Sequence, residues 1–248
     1  MTWSFQLYSA RNFQPWDKVL ETLASIGYRN VEGFGGLYGD AKALRAMLDR
    51  NGLSMPTGHF SLDMLENDFA GAAEIARTLG IGLIACPHIA ADLRPTDAAG
   101  WRAFGERLAK VGEKARWAGF DFGWHNHDFE FAALPDGSVP MTHILEAAPE
   151  IGWEMDVAWV IRGGADPVAW INAHAGRVIA AHVKDIAPAG ENADEDGWAD
   201  VGHGTVDWAG LIGLLREKTP ARHFVVEHDN PSDFARFARR SLAAAQRF

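Results

Sequence analysis

The chain has 248 residues, 48% of them hydrophobic and 23% charged, enough apolar material for a substantial core and too much for a disordered chain. Its 23 Lys and Arg against 33 Asp and Glu give a net charge of −10, which repels phosphate backbones and argues against nucleic acid or an anionic membrane as a partner. The single cysteine excludes an internal disulfide, and Cys86, in Ile84-Ala85-Cys86-Pro87, reads as a small buried hydrophobe. The first five residues lack the basic start of a targeting signal, and no apolar run approaches the ~18 residues of a membrane span. A cytoplasmic protein is expected, with a homo-oligomer left open.

Length alone allows two folds of ~125 residues or one barrel or sandwich of ~250. Along the chain, short apolar runs at 3–9, 28–34, 53–60, 81–86, 120–125, 150–156, 177–183 and 222–227 predict strands. They alternate with stretches whose apolar residues recur three and four apart, at 16–26, 41–51, 69–79, 100–118, 141–148, 167–175, 208–218 and 232–247, the pattern of helices covering a sheet. Pro15, Pro167 and Pro231 sit where first-turn prolines are tolerated, and Gly27, Gly52, Gly80 and Gly119 follow helices as C-caps. Eight strand–helix units averaging about 31 residues predict a closed (β/α)8 TIM barrel, an α/β fold, over residues 1–248. A doubly wound open sheet would put a glycine-rich phosphate loop after its first strand. Here that strand runs into Tyr8-Ser9-Ala10-Arg11, and Gly33-Phe34-Gly35-Gly36 lacks the required spacing. The polar, acidic insertion 187–201 reads as a surface loop or lid.

In such a barrel the chemistry gathers at the carboxyl ends of the strands. There the sequence puts Glu32, His59, His88, His125-Asn126-His127, Asp156, His182 with Lys184 and Asp185, and Glu227-His228-Asp229. An isolated polar residue in such a place is more often a loop residue or helix cap than a ligand. The gathering is what signifies: five of the ten histidines (His59, His125, His127, His182, His228) fall at or one step past strand ends. His143, His174 and His223 lie on helices or at a strand start and are read as structural. Asp156, His182 and Glu227 close three successive strands, so their side chains can converge, with a further imidazole from strand five. This mixed oxygen and nitrogen set suits Mn²⁺, Co²⁺, Zn²⁺ or Fe²⁺ better than Ca²⁺ or Mg²⁺.

Five stretches, in this order, resemble the xylose-isomerase-like barrel superfamily, the sugar phosphate isomerase/epimerase group. They are Trp124-His125-Asn126-His127-Asp128-Phe129-Glu130-Phe131, Glu154-Met155-Asp156-Val157-Ala158-Trp159, Ala181-His182-Val183-Lys184-Asp185, Val201-Gly202-His203-Gly204 with Asp207-Trp208, and Val225-Val226-Glu227-His228-Asp229. The resemblance spans the whole chain and implies a divalent metal held from strands five to eight, by Asp156, His182 and Glu227 directly. At strand five, sugar epimerases of this group usually have a Glu where His125 stands. Either His125 is the fourth ligand, or Glu130 folds back to supply the missing carboxylate. The His-Asn-His stretch also looks like the dehydratase and keto-sugar branches, including inosose dehydratase and 3-keto-glycoside enzymes.

The expected activity is isomerisation or epimerisation of a keto sugar or related polyol. The metal polarises a carbonyl, and Glu227, His127 or Glu130 removes the α-proton through an enediolate. Loss of a β-hydroxyl would make the protein a lyase instead. Lys184 is expected to hold the enediolate oxygen, His59 and His88 to contact hydroxyls, and Trp124 or Trp159 to stack on the sugar ring. Trp16, Trp101, Trp117, Trp170 and Trp208 are expected to pack helices. Arg11, Arg94 and Arg162 are the cations near strand ends, few enough to favour an unphosphorylated sugar. An apurinic-site endonuclease on this barrel would need a basic face, which the charge opposes. A non-catalytic sugar-binding homologue is the remaining rival.

Overall fold

The computed structural model describes residues 2–248. Eight parallel strands close a barrel in the order β1 (Trp3–Gln6), β2 (Asn30–Gly33), β3 (Ser54–His59), β4 (Leu83–Cys86), β5 (Asp121–His125), β6 (Gly152–Asp156), β7 (Val178–Val183) and β10 (His223–Val226), which pairs with β1. Around it lie α1 (Trp16–Ile26), α2 (Ala41–Arg50), α3 (Leu62–Asn67), α4 (Phe69–Leu79), α5 (Ala98–Trp117), α6 (Pro140–Ala147), α7 (Val157–Arg162), α8 (Pro167–His174), α9 (Trp208–Lys218) and α10 (Phe234–Ala245). Between β7 and β10, β8 (Asp185–Ile186) and β9 (Trp198–Ala199) form an antiparallel hairpin. Among the described residues, no helix is long and apolar enough to cross a membrane.

The expected (β/α)8 barrel is thus the observed fold, with local differences. The first strand stops three residues early because the Gln6 side-chain oxygen accepts the Tyr8 amide at 3.0 Å and starts a 3₁₀ turn, Leu7–Ala10. Two six-residue helices escape the periodicity because each spans under two turns. Ser61 caps α3, and Asp156 caps α7. Gly27, Gly52, Gly80 and Gly119 terminate helices at φ of 121°, 62°, 80° and 85°, the region glycine enters without strain. Pro231 is not in a first turn: α10 begins after Asp233, whose carboxylate accepts the Ala235 and Arg236 amides.

Alternation along each strand divides the molecule. One set of side chains faces the helices: Phe5 meets Tyr28 edge-on and Phe237 at a tilt, at ring distances of 5.4 and 5.6 Å, and Cys86 is buried as expected. Tyr38 packs flat on the sheet where Gly33 and Gly58 leave room; a Cβ on either would meet its hydroxyl. Trp101 and Trp208 are buried among the helices, but Trp117 is 83% exposed and packs nothing, since α5 ends there at the surface. The other set fills the lumen, and near the carboxyl ends it is polar: Gln6, Glu32, His59, His125, Glu154, Asp156, His182 and Glu227 are all buried.

The segment 187–201 is not a loose loop. Arg236 Nη2 reaches both Glu195 oxygens at 2.9 Å, and the Ser232 amide and hydroxyl donate to Oε1. Asp200 pairs with Arg240 at 2.8 Å. At the other end, Asp185 accepts the amides of Ile186, Gly202, Gly204 and Val206. A Cβ at Gly204 would strike that carboxylate, which accounts for the glycines of Val201-Gly202-His203-Gly204. Burial raises the Glu195 pKa, but Ser232 and Arg236 outweigh it and bring it to about 2. That is below the unfolded value of ~4.3, so the stabilisation is present in full above that pH and is lost as pH falls through 2. Glu195→Ala is expected to cost about 1–3 kcal/mol by removing the hydrogen bonds that Arg236 and Ser232 donate to its charged carboxylate. It should also speed amide exchange across 193–199, measured by hydrogen–deuterium mass spectrometry; unchanged exchange would mean that α10 does not hold the hairpin.

Candidate active site

Strand register brings the lumenal groups together. His125 of β5 lies beside Glu154 of β6, and Asp156 beside His182 of β7. Two residues on, in the same parity, stand Lys184 after β7 and Glu227 after β10. His182 is held at both nitrogens, Nδ1 to Glu227 at 2.8 Å and Nε2 to Glu32 at 2.6 Å. His59 Nε2 lies 2.6 Å from Glu154 and 3.2 Å from Glu32. Lys184 Nζ donates to Asp229 at 2.8 Å and stands 3.3 and 3.4 Å from Glu227 and Asp156. Asp156 divides its oxygens: Oδ1 accepts the Trp159 amide at 2.9 Å and caps α7, while Oδ2 has no hydrogen-bond partner.

Burial and charge pull against each other here. Burial lowers His59 and His182, but Glu32 and Glu154 outweigh it, raising His59 to about 10 and His182 well above its usual range. The same imidazoles overcome burial at Glu32, and Lys184 with His182 overcomes it at Glu227, so both stay ionised. Burial wins at Glu154, pushed up to about 7, and at Asp156, up to about 6. His125 is pulled well below its usual value by burial and by His182, and His127 falls to about 3 through burial, Lys184 and His88. Lys184 is raised by Asp229, Glu227 and Asp156 against its burial and stays charged.

These residues fit a divalent cation. Ligand atoms of His125, Asp156, His182 and Glu227 lie within 4.8 Å of one another, as do those of His59, His125, Glu154 and His182. Asp156 Oδ2 is buried without a hydrogen-bond partner, the kind of orphan a bound ion satisfies. Above the first set opens a cavity of about 740 Å³.

Most of the expected site residues meet in this cavity. His59, His88, His125, His127, Lys184 and Glu227 line it, with Trp159 on one wall. Three expectations are corrected. Glu130 does not fold back: Trp124 Nε1 and the His127 amide each donate to one of its oxygens at 2.9 Å, behind the barrel wall. Trp124 likewise faces outward, edge-on to Phe104, and cannot stack on a ligand. Arg94 lies over the Phe129 ring at 3.6 Å instead of lining the cavity, as Arg11 and Arg162 do. The insertion 187–201 contributes Asp196 and Trp198 as wall. Glu154 and Gln6 were missed as site residues, although parity with Asp156 and with the lumenal face of β1 was legible. Asn126 was missed too: its Oδ1 accepts the Trp153 indole and Asp156 amide at 2.8 and 2.9 Å, clamping β5 to β6.

The family model described as xylose isomerase-like TIM barrel matches residues 20–247, and the chain belongs to that family. Among solved structures, a sugar phosphate isomerase/epimerase from Parabacteroides distasonis aligns with a TM-score of 0.83 at 22% identity, covering 99% of this chain and 93% of that one. The probable 3-DHS dehydratase AsbF from Bacillus anthracis aligns at 0.76 with 14% identity, covering 99% of both chains. The IOLI protein, with a bound zinc atom, aligns at 0.77 with 15% identity, covering 100% of this chain and 96% of that one. At these identities the likeness is one of fold. A sequence comparison with curated proteins finds no match.

Burial pushes the Glu130 carboxyl up to about 8 against the pull of the His127 amide and Trp124 indole. Glu130→Gln turns an amide N–H toward one of those two donors and leaves it unsatisfied. A loss of about 1–3 kcal/mol is expected, measured by urea unfolding; unchanged stability would show that Glu130 does not anchor the turn carrying His127.

Proposed function

We propose that the chain is an isomerase or epimerase of a keto sugar or related polyol, using one divalent cation held by His125, Asp156, His182 and Glu227. The observation that carries this reading is the meeting of those four residues beneath a cavity of about 740 Å³, with the His127 imidazole on its wall. The zinc atom of the IOLI protein supports a transition metal on this fold. When bound, the cation supplies Lewis acidity, polarising a substrate carbonyl and acidifying the neighbouring C–H.

The chain's own residues do the rest. His127 is neutral, and its imidazole accepts the α-proton. The negative charge developing on the substrate opposes the causes that lower its pKa, so it becomes a better base as the proton leaves. Lys184, fixed by Asp229 and Glu227, presents its ammonium to the developing oxyanion. The Trp159 ring forms one wall for the substrate, while His88 and His59 border the same space. Trp198 and Phe34 exclude water from the walls. Loss of a β-hydroxyl from the same enediolate is the second reading, supported by the fold likeness to the probable dehydratase AsbF.

With Zn²⁺ or Mn²⁺ added, keto sugars should exchange their α-hydrogen with deuterated water, followed by proton NMR. His127→Asn should keep the ion and lose exchange by at least ~10²-fold. Normal exchange in that variant with loss in Glu227→Gln would make the carboxylate the base, and no exchange in the unaltered protein would favour the sugar-binding reading. Because Asp156, raised to about 6, and His182, raised well above its usual range, must each lose a proton to ligate, ion affinity should fall by at least about tenfold per pH unit below 6. Calorimetry at pH 5 and 7.5 checks this, and equal affinities would remove both from the ligand set.

A further inference from the structure

We propose that Glu32 and Glu154 are positioning residues for the cation site: Glu32 accepts the Nε2 proton of His182 and Glu154 the Nδ1 proton of His125, which turns the other nitrogen of each ring to the ion. The inference rests on the proposed ligand set and deepens it.

The geometry is that of two rungs inside one barrel. His182 Nε2 lies 2.6 Å from Glu32 Oε1, and His125 Nδ1 lies 3.2 Å from Glu154 Oε2. The opposite nitrogen of His182 faces Glu227 at 2.8 Å. Glu32 and Glu154 are themselves fixed: His59 Nε2 spans them at 3.2 and 2.6 Å, and Gln6 Nε2 donates to Glu32 at 2.7 Å. Both carboxylates are wholly buried and, unlike His125 and Glu227, do not line the cavity. They therefore sit where they can touch ligands but not substrate.

The lower group of His59, His125, Glu154 and His182 has ligand spacing of its own. It shares both imidazoles with the upper group, however, and a neutral imidazole has one lone pair to give. A cation on the upper rung leaves the downward nitrogens as N–H donors, and Glu32 and Glu154 are the acceptors waiting for them. Such outer carboxylates fix the tautomer and ring angle of a ligating histidine and make it more basic, and losing one typically weakens metal binding by about 10–100-fold.

The test uses Zn²⁺ and the full chain. Nitrogen-15 NMR of the zinc-loaded unaltered protein should find the proton of His182 on Nε2 and that of His125 on Nδ1, a signature that a purely structural role for the two glutamates would not move. Either proton on the opposite nitrogen would overturn the assignment without any variant. Chelator competition should then show Glu32→Gln and Glu154→Gln each binding one ion about 10–100-fold more weakly, with Glu66→Gln, a surface partner of Arg107, as the unchanged control. Equal affinity in both variants would overturn the proposal. So would abolition of binding in Glu154→Gln with Asp156→Asn unaffected, because the ion would then sit on the lower rung. If the unaltered protein binds no Zn²⁺, the proposed ligand set fails instead, a distinct outcome.

Discussion

Glu32, Glu154, Asp156 and Glu227 stand inside a barrel at 5% exposure or less, and everything near the cavity follows from keeping those carboxylates tolerable there. An unpaired charge so deep costs several kcal/mol. The barrel answers with imidazoles from three strands and one lysine, and with hydrogen bonds at 2.6 to 2.8 Å that fix the His59 and His182 rings. The small neighbours of these groups, such as Ala85 and Ala180, leave the lumen to the polar set.

The surrounding polar residues serve the same end by holding backbone. Asp156 caps α7 with one oxygen and leaves the other without a hydrogen bond, so the helix start and the proposed ligand position are a single feature. Asn126 ties the end of β5 to that of β6, and Glu130 ties the turn carrying His127 to Trp124. Asp185 gathers four amides and thereby sets where the hairpin leaves β7. Side chains that resemble catalytic groups in the sequence are here the fasteners of the cavity wall.

The hairpin wall gives the cavity its upper character. Arg162 lies 3.2 Å over the Trp198 ring and donates to the Asp196 carbonyl at 2.8 Å, and Lys184 stands 4.7 Å from the same ring. Cation and aromatic faces together exclude water while leaving polar edges toward the cavity. Because Glu195 and Asp200 pin this wall to α10, it is part of the scaffold.

The sequence by itself determined the barrel, since eight apolar runs of strand length separated by amphipathic helices have one closed arrangement that buries every apolar face. It also determined that His125, His127, Asp156, His182, Lys184 and Glu227 gather, because they terminate strands that end at the same rim. Tertiary structure alone decided which carboxylates meet the imidazoles. Glu130 looks like a candidate ligand in the sequence, yet a turn of three residues delivers it to the Trp124 indole behind the wall. Glu154 looks like strand interior, yet the pairing of His125 with Glu154 puts it under the imidazoles. The reason is physical: strand alternation is local and legible, whereas the shear between neighbouring strands and the path of a short turn are set by packing among residues far apart in the chain.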